Sequence, residues 1–309
     1  MTESLRDLRM FAAVYEERSF TSAAAREHAT QSGVSQHIRR LEDRLDVKLF
    51  SRGIGVAVQP TPAGDAYYRA CVEVLRAHDN ARRTVKAYGR GLDGQVTIGV
   101  VPTISRSSLA PTLVRFIDEH PNVVVRAVEG YSDTLIEGVK SGELDCAIVI
   151  ETAGIVGLNM MPIVRTPEVL VSGRQLGLRH LQPLRVGQLG PVKMVLPLRS
   201  RTRRMNIESY FAMHGGVLQR QLDLDMTFGI LQFIARTDWV TVFPSVMMVP
   251  NIEDGELCIN PLVDPPLTLS LALVEPSRHA LAPAAAAFVD ALLAQTRLMV
   301  DQVAHLVSM

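Results

Sequence analysis

The chain has 309 residues with 32 Lys+Arg against 32 Asp+Glu, and a formal net charge of zero excludes a protein coated in one sign of charge. Its three cysteines, Cys71, Cys146 and Cys258, are far apart and show no CxxC or Cys/His ligand spacing, which argues against a disulfide framework and a zinc site and fits a reducing compartment. No apolar run approaches the roughly 20 residues that span a bilayer, and the start MTESLRDLRM has no signal-peptide pattern, so the expectation is a cytoplasmic protein without membrane contact, long enough for two or three cores.

Charge is unevenly spread. Residues 1–90 carry 15 Lys+Arg and 11 Asp+Glu, a net +4, and the remainder carries 17 and 21, a net −4. Within the basic part, Leu5, Leu8, Phe11, Ala12 and Tyr15 recur at helical spacing and predict a helix over 4–17. Residues 19–45 read as two short helices joined by a tight turn. Thr21 is the expected N-cap of the first, ahead of Ala23, Ala24 and Ala25, whose small side chains let a second helix approach closely. The second helix starts near Thr30 or Gln31. Val34, Ile38, Leu41 and Leu45 give it an apolar stripe; Gln31, Ser32, Ser35, Gln36 and Arg39 lie on the opposite face, with His37 at its edge. Such a face suits reading of base edges and contact with phosphates, the organisation of a helix-turn-helix. Solvent alone also selects polar faces, so the neighbouring elements decide.

After Leu45, β-branched residues broken by Gly53 and Gly55 predict a small hairpin, which beside a helix-turn-helix is a wing with Arg52 at its base. Thr61-Pro62 is a helix start, a capping hydroxyl followed by proline at the first helical position. Tyr67, Cys71, Val74, His78, Ala81, Val85 and Tyr88 then alternate spacings of four and three, the 3.5-residue period of a coiled-coil seam. The expectation is a linker and dimerisation helix; the alternative is a helix packed on its own domain. The glycine-rich residues 89–94 mark a boundary.

Beyond it strands and helices alternate. Strands at 96–101, 123–128 and 146–150 with helices at 109–119 and 135–141 form a βαβαβ unit, which predicts a parallel sheet. A second set has strands at 168–172, 192–196, 222–226 and 240–243 with helices at 205–214 and 229–235, followed by a strand at 267–274 and a terminal helix from 282 to about 306. Two α/β lobes with a cleft between them are expected. No GxSxG, HExxH, P-loop or post-strand GxGxxG is present, so neither catalysis nor a cofactor or metal is expected.

The first 90 residues resemble the winged helix-turn-helix of LysR-type transcriptional regulators. The resemblance is carried by Leu8 to Phe11, Ser19-Phe20-Thr21, Ala23-Ala24, Thr30-Gln31, Val34-Ser35, Ile38-Arg39-Arg40-Leu41-Glu42, Leu49-Phe50, Arg52, Thr61 and Ala63-Gly64. The rest is similar to the family's periplasmic-binding-protein-like effector domain through Leu113 to Phe116, Pro121, Glu129-Gly130, Gly142-Glu143-Leu144-Asp145 and Pro244. Two departures stand out: Ser32-Gly33 replaces the usual Pro-Ala at the start of the reading helix, and Pro60 replaces leucine before Thr61. Glycine is poor in a helix, so a looser helix start, or a polar contact through Ser32, is expected. The resemblance implies an α/β chain with a winged helix-turn-helix at 1–60, a linker helix at 61–91 and an effector domain at 92–309, divided into lobe I (92–165 and 268–309) and lobe II (166–267).

It also implies roles. Gln31, Ser32, Ser35 and Gln36 are the base-edge candidates; Arg39, Arg40 and Arg52 are candidates for phosphate or minor-groove contact, Arg40 having pairing with Asp43 as an alternative. A dimer through Tyr67, Cys71, Val74, His78, Ala81 and Val85 predicts a dyad-symmetric double-stranded DNA operator, and the resemblance favours a tetramer built from two dimers, with RNA polymerase as a further candidate partner. Ligands of doubly wound lobes bind beyond the carboxyl ends of strands. That rule selects Thr103 and Ser105 after the 96–101 strand, Thr152 after 146–150, Arg199, Ser200 and Thr202 after 192–196, and Thr227 with Phe228 as a further wall. Four arginines at 199, 201, 203 and 204 point to an anionic effector such as a carboxylate. Two other readings stand beside this one: a redox switch through Cys146 or Cys258, and a small-molecule-binding protein or enzyme whose N-terminal helices only mediate assembly. Residues 19–52 discriminate, because an assembly module needs neither a polar reading face nor a wing.

Overall fold

The structure is a computed structural model that describes residues 4–51, 58–87, 92–198, 202–252, 255–277 and 279–307, with side chains undescribed at 76, 79–80, 82–87, 202 and 305–307. Helix α1 (Leu5–Glu17) opens with a capping box in which the Ser4 hydroxyl accepts from Asp7 N and the Asp7 carboxylate accepts from Ser4 N. Helix α2 (Phe20–Arg26) is capped by Ser19 and not by Thr21: Ser19 has extended dihedrals and accepts from Ser22 N at 3.2 Å, while Thr21 is already inside the helix. Helix α3 (Gln31–Leu45) starts after Thr30. Its Val34, Ile38 and Leu41 are fully buried against Phe11, Leu49 and Leu75, with Leu45 partly buried beside them.

Strands β1 (Phe50–Ser51) and β2 (Gln59–Pro60) pair antiparallel as the stem of the wing; Arg52 falls outside the described residues. Pro60 sits opposite Phe50 at the end of this ladder, so the departure from leucine is accommodated in an edge pair. Helix α4 (Pro62–Ala87) begins where Thr61 donates to Lys48 O and accepts from Gly64 N. A Cβ at Gly64 would lie 2.2 Å from Leu49 O, so only glycine permits this close approach of α4 to the wing stem.

The effector domain adds β3 (Gly94–Val100), α5 (Pro102–Ser105), α6 (Leu109–Glu119), β4 (Val123–Glu129), α7 (Ser132–Ser141), β5 (Cys146–Ile150), β6 (Leu158–Gly173), β7 (Pro191–Leu196), α8 (Thr202–Met213), β8 (Val217–Asp223), α9 (Thr227–Ala235), β9 (Trp239–Pro244), β10 (Leu257–Pro261), β11 (Thr268–Pro276) and α10 (Pro283–Val307). Strand order is β4-β3-β5-β11-β6-β9-β7-β8, with β10 also paired to β6. The β3, β4 and β5 strands are parallel as expected, but β11 runs antiparallel to β5 and β6, so the sheet is mixed. One strand, β6, serves both lobes: it pairs with β11 as far as Pro167 and with β9 from Glu168. Each lobe has its own core, lobe I around Ile98, Ile148, Phe116 and Phe288, lobe II on both faces of β6, where Val169 and Val171 join one cluster and Leu170 the other.

Two sequence expectations need correction here. The strand expected at 222–226 is β8, which runs Val217–Asp223 beside β7. Leu222, Leu224 and Met226 alternate like a strand, but pairing stops at Asp223 and Met226 is exposed before α9. The expected dimer seam is divided. Cys71 is buried in the N-terminal domain's own core and Tyr67 packs edge-on to Phe11 at 4.9 Å, because the first turns of α4 cover α1. Val74, 49% exposed, and Ala81 face outward and His78 is half-buried; the Val85 side chain and Tyr88 lie outside the described residues.

Candidate DNA interface and effector cleft

Helix α3 presents the expected face. Gln31, Ser32, Gln36, Arg39 and Arg40 are exposed and Ser35 is half-buried. Neither Arg39 nor Arg40 has an ion-pair partner among the described residues, so the pairing of Arg40 with Asp43 is absent there; Asp43 lies instead 4.0 Å from Lys48. The helix start is capped despite Gly33. The Thr30 hydroxyl accepts from Gly33 N at 3.1 Å and lies 3.3 Å from the Ser32 hydroxyl, the polar contact expected of Ser32. A Cβ at position 33 would sit 3.0 Å from Thr30 Oγ1, so glycine gives this cap its room.

Two acidic side chains that composition does not single out hold this face in place. Asp7 accepts from Arg44 at 3.1 Å and lies 2.9 Å from His37 Nδ1, fastening α1 to α3. Burial raises its carboxyl, but bonds from Ser4 N, His37 and the Ser4 hydroxyl, with the Arg44 charge, outweigh that and hold it below the usual aspartate value. Glu42, 1% exposed, turns inward from α3 and accepts from Leu49 N at 2.9 Å and Phe50 N at 3.2 Å. It thereby ties the reading helix to the first wing strand.

The lobes enclose a cavity of about 480 Å³ at the carboxyl ends of β3, β5, β7 and β8. Thr103, Thr152 and Thr227 line it, as expected from the sequence. Ser105 does not. Its hydroxyl donates to Pro102 O and contacts Glu129, tying α5 to the end of β4. Phe228 does not either; it is 72% exposed and lines a separate pocket of about 170 Å³ with Arg106 and Leu231. Arg199 and Ser200 fall outside the described residues, as does the side chain of Thr202.

The arginines after β7 have different environments. Arg204 is 3% exposed and bonded to Glu208, Asp223, Gln221 and Pro197 O, a structural role. Arg203 reaches the cavity while bonded to Val242 O at 2.8 Å and paired with the fully buried Glu168 at 2.6 Å. Burial pushes the Glu168 carboxyl up and the Arg203 guanidinium opposes this. The described wall thus has Asp133, Glu137, Glu151 and Asp225 against Lys140 and Arg203, with Lys140 itself paired to Glu137 at 2.6 Å. That balance does not favour an anion, and the remaining lining is largely aliphatic, including Ile136, Ile150, Leu196 and Ile230. Across the mouth, the Tyr131 hydroxyl donates to Asp225 O at 2.5 Å and joins the lobes.

All three cysteines are buried, and none is in a disulfide. Burial, with the charges of Asp145 and Glu275, pushes the Cys146 thiol well up, opposite to the shift a redox-sensing thiolate requires. Among the described residues no His/Cys/Asp/Glu cluster could hold a metal, and no helix is long and apolar enough to cross a membrane.

A capped reading helix with a wing stem, joined by one long helix to two lobes around a cavity, defines a DNA-binding regulator with a built-in receptor domain. Residues 5–65 match the family model described as bacterial regulatory helix-turn-helix protein, lysR family, and residues 89–297 match that of the LysR substrate binding domain. The chain belongs to the LysR family of DNA-binding transcriptional regulators. It is 26% identical to the nitrogen assimilation regulatory protein nac of Escherichia coli (strain K12) over 297 residues, covering 94% of each chain. It is 31% identical over 194 residues to the HTH-type transcriptional regulator BudR of Raoultella terrigena, covering 62% of this chain and 67% of that one. Its fold is shared with full-length BenM (TM-score 0.56, 21% identity, 96% of each chain). It is also shared with full-length CbnR complexed with its target DNA (TM-score 0.54, 20% identity, 95% of this chain and 100% of that one).

Proposed function

We propose that this regulator reads a dyad-symmetric double-stranded operator with Gln31, Ser32, Ser35 and Gln36 at the base edges and Arg39, Arg40 and Arg52 on the backbone or minor groove. Support comes from the exposure of Gln31 and Gln36 on a helix whose other face is fully buried, and from the full-length CbnR structure with target DNA. Its switch is a small molecule with a mainly apolar body and a polar end near Thr103. The observation that carries this is the 480 Å³ inter-lobe cavity, in which the buried Thr103 meets an aliphatic wall. An anionic end would have to take Arg203 from Glu168, so an uncharged or zwitterionic molecule suits the described wall better. The chain assembles through the outward face of α4, where Val74 is exposed, and through the sheet edges. Val114, Ile117, Val124 and Val128 are exposed on α6 and β4, and Met205, Met213 and Val217 on α8 and β8, as a dimer or dimer of dimers would use.

Thermal shift against a library of neutral, zwitterionic and carboxylate compounds tests the cavity. A hit should stabilise the wild-type chain and lose at least tenfold in affinity with Thr103→Val. Unchanged binding by that variant would remove the site.

A further inference from the structure

One buried carboxylate serves neither the DNA face nor the cavity. Glu16, on the last turn of α1, has a side chain only 4% exposed. Its Oε2 pairs with Arg26 at 2.7 Å, and its Oε1 accepts from the Tyr68 hydroxyl of α4 at 2.7 Å. The third partner comes from the other domain: Ser277, immediately after β11, lies 3.0 Å from the Tyr68 hydroxyl and donates to Glu16 Oε1 at 3.3 Å. Ser277 N bonds to Gly157 O at 3.0 Å, where Gly157 takes a positive φ of 85° directly before β6. The Tyr68 ring is fixed by stacking on Tyr15 at 3.9 Å, so its hydroxyl is aimed and not adaptable. Because Leu158 pairs with Pro276, Gly157 and Ser277 close one end of the β6–β11 ribbon, and the other end of that ribbon is where β6 passes into lobe II.

We propose that Glu16, Tyr68 and Ser277 form a clasp by which lobe I holds the winged helix-turn-helix of its own chain. The ribbon that joins the lobes then has a direct contact with α1, alongside the covalent route through α4. Transmission of lobe movement to the reading helix through this contact rests on the effector reading; the contact itself does not, and the experiment reads the contact without effector or DNA.

Hydrogen exchange on the full-length chain compares wild type, Ser277→Ala, Tyr68→Phe and the double variant. Losing one hydroxyl bond to a carboxylate should accelerate exchange in the last turn of α1 and around Tyr68 by about tenfold or more. The decisive result is that Ser277→Ala, a change in the effector domain, produces this in the DNA-binding domain while the amides of Val34, Ile38 and Leu41 keep wild-type rates. Tyr68→Phe retains the ring stack and should also accelerate exchange locally. The double variant, which strips both hydroxyls from Glu16, should be faster than either single variant but by less than the product of the two effects, because the Tyr68–Ser277 contact is already lost in each. Acceleration confined to residues 155–160 and 274–279 in Ser277→Ala would overturn the clasp, and so would fully additive effects in the double variant.

Discussion

Replacing Glu42 by alanine should release the wing from the reading helix. In the folded chain this carboxylate accepts from two backbone amides, Leu49 N at 2.9 Å and Phe50 N at 3.2 Å, both within residues almost completely buried. Each such bond to a charged group is worth about 1.5–3 kcal/mol, and alanine supplies no acceptor in return. The full penalty is not paid, because the short β1–β2 stem can detach and let water reach both amides. The loss is therefore set by local opening, and about 3 kcal/mol is expected at these two positions. Hydrogen exchange resolves it site by site: Leu49 and Phe50 should exchange about 100-fold faster in Glu42→Ala. Core amides of lobe I around Ile98 and Ile148 should keep their protection. Glu42→Gln retains a carbonyl acceptor and should lose about 1 kcal/mol. Alanine rates within threefold of wild type at Leu49 and Phe50 would refute the assignment of Glu42 as the tie between α3 and the wing.

Gln31→Ala should flatten the preference for an operator over random duplex by about 1–3 kcal/mol at one base pair, whereas Arg39→Ala should weaken both duplexes alike and reduce the salt slope; binding titrations at two salt concentrations separate these, and equal effects of the two variants would contradict the division. Val74→Glu places charge on an exposed face of α4 and should lower the mass seen in sedimentation without lowering the melting temperature; unchanged mass would remove α4's outward face as an interface. Asp7, held below its usual value, contributes stability that is present above the unfolded-state pKa and lost as pH falls through the folded one. The stability gap between wild type and Asp7→Asn should accordingly narrow below about pH 4, and a gap independent of pH from 3 to 7 would show that the carboxylate charge is not what Asp7 supplies.

The parts of this chain that were legible in its sequence are those set by local pattern. Thr30 and the Val34–Ile38–Leu41 stripe fixed α3, and alternation of strand and helix gave the parallel part of lobe I. What escaped was set by partners distant in sequence. The part of β6 that pairs with β11 carries Pro162 and Pro167, which read as breaks in a strand. In the sheet they mark irregular places: Pro162 faces the register shift at Leu271/Ala272, and Pro167 sits where the strand leaves β11 for β9. The cavity shows the same limit at finer scale. The rule of strand carboxyl ends found Thr103 and Thr152, and Thr227 was a further candidate, but a helix turns about 100° per residue. Ser105, two residues beyond Thr103, and Phe228, one beyond Thr227, therefore point elsewhere. The seam on α4 is the clearest instance, since one period runs through Cys71 in the core and Val74 in solvent. Spacing reports which residues share a face and not what that face meets. Charge obeys the same logic: four arginines in six positions suggested an anion site, yet Arg204 is committed to Glu208 and Asp223 and Arg203 to Glu168. An effector anion must therefore compete with a buried carboxylate for Arg203, which makes an uncharged or zwitterionic ligand the easier occupant of the described wall.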